Sequence, residues 1–130
     1  MSAKERNELT VITKAKTLCS YVLTVTDKSP KRFRFTLVAK LQNNALDALE
    51  SLFLANEIYV GNRDRAQIEK RREYQRNAMT HLKLLAYLAQ LAMEQKCILP
   101  KQYEQITKQV YDCQNLLGAL MNSDRKRLGL

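Results

Sequence analysis

The residues best placed to do chemistry in this sequence are cations. Arg63, Arg65, Lys70, Arg71, Arg72 and Arg76 crowd one short stretch, and Arg125, Lys126 and Arg127 follow near the carboxyl end. Lys28, Lys31, Arg32 and Arg34 form a second cluster. A guanidinium makes two parallel hydrogen bonds to a phosphate, and each neutralised phosphate releases a counterion. Neither helix-turn-helix, RNA-recognition nor zinc-finger signatures accompany the clusters, and Tyr74 is the aromatic nearest the first. The pattern predicts recognition of RNA or DNA through the backbone, with little base readout.

Catalytic constellations are not apparent. Cys19, Cys97 and Cys113 are an odd set without CxxC spacing, and His81 is the single histidine. Cys19 and Cys113 fall on apolar helical faces, where a thiol acts as a small hydrophobe. One histidine and the lack of an ExxH pair exclude the common metal-site patterns. A glycine-rich phosphate loop is missing, and no Ser-His-Asp spacing can be proposed. Glu50 and Glu57 lie a heptad apart on what reads as a solvated face. The expectation is a non-enzymatic protein with no catalytic residues, metal, cofactor or small-molecule substrate.

The balance of charge agrees with a polyanionic partner. Twenty-two Lys and Arg against 13 Asp and Glu give +9 over 130 residues. Such an excess favours nucleic acid first, then acidic proteins or anionic surfaces. The start, MSAKERNE, lacks the apolar core of a signal peptide. No apolar run approaches the roughly 20 residues that span a bilayer. With unpaired thiols, a cytoplasmic location and no membrane partner are expected.

Four long helices must position these charges, at about 7–26, 31–60, 64–96 and 101–122, within one domain covering 1–130. A basic tail, 123–130, is expected to fray. Leu9, Ile12, Ala15, Cys19 and Val22 step along the first helix, and Asp27-Lys28-Ser29-Pro30 ends it. Val38, Leu41, Ala45, Ala48, Leu52, Ala55 and Tyr59 form the seam of the second. Asn43, Asn44 and Asn56 lie near that seam and read as polar contacts between helices. Gly61-Asn62 stops the helix and Asp64 can cap the next. The fourth helix starts at Pro100 and carries Tyr103, Ile106, Val110, Cys113, Leu117 and Leu120.

The third helix holds the most information. Ala78, Leu82, Leu85, Ala89 and Ala92 form one seam. Leu84, Leu88 and Leu91 form a second beside it, and Met79, Ala86 and Met93 flank the first. Together they cover roughly 240° of the circumference, about twice what a surface helix of a monomeric bundle needs. Leu84, Leu88 and Leu91 are therefore expected to meet another subunit.

Short connections imply an all-α, antiparallel up-down-up-down four-helix bundle. That order gathers Lys4, Arg6, Arg63, Arg65, Lys70, Arg71, Arg72 and Arg125–Arg127 at one end, with Arg76 slightly below. Glu5, Glu8, Asp64, Glu69, Glu73 and Asp124 are the acids there. The smaller patch of Lys28, Lys31, Arg32, Arg34, Lys96 and Lys101 falls at the other end.

Several segments carry a resemblance: KSPKRFRFTL from Lys28, LDALESLFLANE from Leu46, the basic start of helix three, and HLKLLAYLAQLAMEQKCILPKQYEQITKQVYDCQNLLGALMNS from His81. From about Leu9 to Lys126 the chain resembles the accessory variability determinant proteins of diversity-generating retroelements. These belong to a wider set of bacterial four-helix-bundle proteins, some encoded by intervening sequences in 23S ribosomal RNA genes. Where some relatives carry Gly-Gly-Trp, this chain reads Gly118-Ala119-Leu120. The resemblance implies a homopentameric barrel with a basic surface. It also implies binding to a reverse transcriptase and nucleic acid, in support of mutagenic copying of a template repeat. The intervening-sequence branch implies a bundle that contacts ribosomal RNA instead.

Overall fold

The computed structural model describes residues 2–130, and the side chain of Lys4, one of the expected cations, lies outside the described residues. The described chain folds into four long α-helices: α1 (Ala3–Val25), α2 (Ala39–Glu57), α3 (Arg65–Glu94) and α4 (Pro100–Leu128). A 3₁₀ turn over Lys31–Phe33 and a π-helical turn over Arg34–Val38 lead into α2. There is no strand among the described residues, and the architecture is consistent with a four-helix bundle. Helix α2 packs against α1 and α3, and α4 packs against the same two.

Local chemistry sets the helix limits. Ser2 Oγ accepts from the Glu5 N–H at 3.1 Å, occupying one of the unpaired donors of the first turn. Asp64 caps α3 as expected, its carboxylate accepting from the Ala66 N–H at 3.0 Å. Pro100 opens α4, and the Gln102 side chain reaches back to accept from the Leu99 N–H at 2.8 Å. Gly129, at φ 71°, closes α4, and the Leu130 N–H donates to the Arg125 carbonyl at 2.9 Å.

The seams read from the sequence line the core. Ala78, Leu82, Leu85, Ala89 and Ala92 of α3 are fully buried against Leu41, Ala45, Ala48 and Leu52 of α2 and Ile106, Val110, Cys113 and Leu117 of α4. Asn44 is buried, its amide donating to the His81 carbonyl and its oxygen meeting His81 Nδ1 at 2.9 Å. Asn56 donates to the Glu8 carbonyl at 3.3 Å. Both make contacts between helices, whereas Asn43 is exposed.

Three expectations need correction. First, the inward face of α1 is shifted at its start: Ala15, Cys19 and Val22 are buried as expected and Ile12 packs partly against the core, but Val11 and Leu18 are buried with them and Leu9 is half exposed. Second, helix two does not run unbroken over 31–60. Phe33 and Val38, five residues apart, both face the core, and widening the turn between them brings them to one side. Its far end stops at Glu57, which leaves Tyr59 in solvent. Third, the basic tail is helical to Leu128. The reason lies at Asp124, which is buried and paired with α3.

Candidate nucleic-acid interface

Arg71 was expected among the phosphate-binding cations, but only 1% of it is exposed. Its Nε donates to Asp124 Oδ2 at 2.6 Å and a terminal nitrogen to Oδ1 at 3.3 Å. That nitrogen also donates to Glu8 Oε1 at 2.9 Å, and the other to the Ala55 carbonyl at 3.1 Å. Gln75 and Arg127 donate to Asp124 as well, each at 3.0 Å. One buried guanidinium thus ties α1, α2 and α4 to α3.

Charge-assisted, fork-shaped bonding of this kind offsets the desolvation of both ions. Burial alone would lower the affinity of Arg71 for its proton, but the bonds to Asp124 and Glu8 outweigh it, so the guanidinium stays charged. Burial likewise acts to raise the Asp124 carboxyl, and the donors Arg71, Gln75 and Arg127 more than reverse this, holding it below the usual carboxylate range. Arg71 is a structural hub and leaves the set of ligand-facing cations.

The other expected cations surround this hub on the outside. Arg63, Arg65, Lys70, Arg76, Arg125 and Lys126 are exposed, and Arg72 is partly so. Arg63 sits in the α2–α3 turn at φ 58°, a strained conformation for a non-glycine residue. Arg72 pairs at 3.1 Å with the exposed Glu69, a contact worth little against solvent. The Arg127 side chain is 36% exposed and already committed to Asp124. Arg72, Arg76 and Arg125 line one crevice between α3 and α4, with Gln75 and Asp124 also in its wall and a volume of about 130 Å³. Arg72 and Arg76 lie one turn apart on α3, and Arg125 of α4 joins them where the Arg71–Asp124 pair links the two helices.

The second cluster is also on the surface: Lys28, Lys31, Arg32 and Arg34 are all exposed. Ser29 Oγ donates to the Cys97 carbonyl at 2.7 Å, which holds this turn beside the α3–α4 turn. Of the expected subunit contacts, Leu84 is 38% and Leu91 44% exposed, while Leu88 is partly buried against the core. Tyr87 between them is 73% exposed.

The thiols are all buried. Burial pushes Cys19 and Cys113 up to about 11, with Asp112 adding to the effect on Cys113. Cys97 is raised by burial too. Such thiols are poor nucleophiles at neutral pH. Among the described residues, no group of three or more His, Cys, Asp or Glu side chains could hold a metal ion, and no helix is long and apolar enough to cross a membrane.

In comparisons with family models, curated proteins and solved structures, nothing matches this chain.

Proposed function

We propose that this is a non-enzymatic, cytoplasmic accessory protein that binds RNA or DNA through the exposed cations around the Arg71 hub. The observation that carries this is the convergence of Arg72, Arg76 and Arg125 on one crevice, with Arg63, Arg65, Lys70 and Lys126 exposed near the start of α3 and the end of α4. Guanidinium groups suit phosphate oxygens, and a tract of them suits a polyphosphate chain. Asp124 in the crevice wall does not repel a phosphate as a free carboxylate would, since three donors already occupy it.

The four helices form a single domain in antiparallel up-down-up-down order. The bonds from Arg71 support that order, because they join the early turns of α1 and α3 to the late turns of α2 and α4. The chain assembles through Leu84, Leu88 and Leu91 of α3 into a homopentamer, which repeats the basic surface around a ring and lets weak sites act together. The resemblance to accessory variability determinants supplies the setting: a diversity-generating retroelement, with its reverse transcriptase as protein partner and its template as nucleic acid. Binding of the purified protein to a mixed-sequence RNA and a DNA duplex, over a range of salt, tests the nucleic-acid claim. Co-purification with the reverse transcriptase encoded beside the gene tests the partner.

A further inference from the structure

Phe35 is 87% exposed, the most exposed large hydrophobic side chain among the described residues. It does not lie on a loose loop. Three anchors fix its segment: Ser29 to the Cys97 carbonyl, Phe33 packed against the core, and Val38 buried within it. The Phe33 N–H closes the 3₁₀ turn onto the Pro30 carbonyl at 3.0 Å. The π-helical turn Arg34–Val38 then carries Phe35 between two inward-facing residues while Phe35 itself stays in water. π-Helical turns are rare and gather at functional sites.

The surroundings of Phe35 are cationic. Lys28, Lys31, Arg32 and Arg34 are exposed on the same segment, and Asp27 is the one acid in that run. The Arg32 guanidinium lies 4.8 Å from the centre of the Phe33 ring, which gives this charge a fixed place on the segment that carries Phe35. An exposed ring on an anchored segment rich in cations matches a ligand with a flat π-face and a chain of negative charges. We infer that Phe35 is a stacking platform for an unpaired base of a single-stranded nucleic acid, with Lys31, Arg32 and Arg34 holding the flanking phosphates.

This site extends the proposed function to a second surface, and it rests on that reading only in requiring that the chain meets nucleic acid. The two surfaces should differ in what they accept. Phosphate contacts around Arg72, Arg76 and Arg125 take single strands and duplexes alike. A ring such as Phe35 reaches a base only when that base is unstacked.

The test compares wild type with Phe35→Ala and Phe35→Tyr, using a short oligouridylate and a blunt DNA duplex of similar length at one salt concentration. Stacking one base on an aromatic ring contributes a factor of about 5 to 150 in affinity. Phe35→Ala should weaken oligouridylate binding by a factor in that range and leave the duplex within about twofold, while Phe35→Tyr should retain both. Folding should not confuse the result, because the side chain is in water. Equal affinity of Phe35→Ala and wild type for oligouridylate would overturn the inference. So would a subunit assembly that falls apart in Phe35→Ala, since the ring would then serve a protein contact. Wild type that binds neither probe would instead remove the proposed function itself.

Discussion

Arg71 and Asp124, 53 residues apart in sequence, are joined by a 2.6 Å bond in a site where each side chain is 3% exposed or less. The pair sets the spacing of α3 and α4, and so decides where Arg72, Arg76 and Arg125 stand. Breaking a buried ion pair by removing one partner costs about 3–5 kcal/mol, because the remaining charge loses its counter-ion. Arg71→Met is therefore expected to lower unfolding free energy by that amount in urea denaturation. Arg72→Gln, one residue on, should move it by about 0.5 kcal/mol or less. Equal effects of the two substitutions would show that the pair does not organise the fold.

Acid should weaken the same pair. Asp124 has a depressed carboxyl in the folded chain, while in the unfolded chain it returns to about 3.9. Its contribution is thus complete above that value and is lost as pH falls towards the folded one. The stability gap between wild type and Asp124→Asn should be widest near neutral pH and should narrow below about pH 4. Denaturant midpoints across that window read it directly, and a gap that widened in acid would contradict the assignment.

The buried thiols make a third expectation. A group titrating near 11 leaves about one in ten thousand molecules as thiolate at pH 7. Cys19 and Cys113 should react with a maleimide only at the rate of unfolding, and fast once urea is added. His81→Gln, and Cys113→Ala where the variant folds and assembles, should leave nucleic-acid binding intact.

The proposed assembly rests on α3. Light scattering is expected to give several times the 15.1 kDa of one chain. Leu84→Glu together with Leu91→Glu should reduce it, since charges there would be buried at the subunit contact without partners. A wild-type monomer at micromolar concentration would remove the pentamer.

Much of the fold can be read from three-four spacing, since apolar seams must face one another. The hub follows the same spacing, but its polarity hides it. Arg71 and Gln75 continue the seam of Ala78 and Leu82 without a break, Asp124 continues that of Leu117 and Leu120, and Glu8 precedes Val11 and Ala15 in step. Three seams each ending in a polar residue, with opposite charges at matching ends, is the signal that marks a buried pair. Charge counting alone places Arg71 on the surface. Antiparallel order brings Arg72, Arg76 and Arg125 to one end, but the crevice they line was not legible, because it depends on how closely α3 and α4 approach there. Phe35 escaped for a different reason: beside Phe33 it looks like core, and the widened turn separates the two.

The exposed cations around the hub as a phosphate-binding surface are the central claim. Its most direct test is the salt dependence of binding to a mixed-sequence DNA duplex. Arg65, Arg72, Arg76 and Arg125 are changed together to Gln, with Arg71 left in place, and compared with Lys28, Lys31, Arg32 and Arg34 changed likewise. Each lost phosphate contact should lower the slope of log affinity against log salt by about 0.9. The first variant is expected to bind weakly and with a flattened slope across sequences, while the second keeps most of the wild-type slope. A second variant that loses binding while the first retains it would contradict the account.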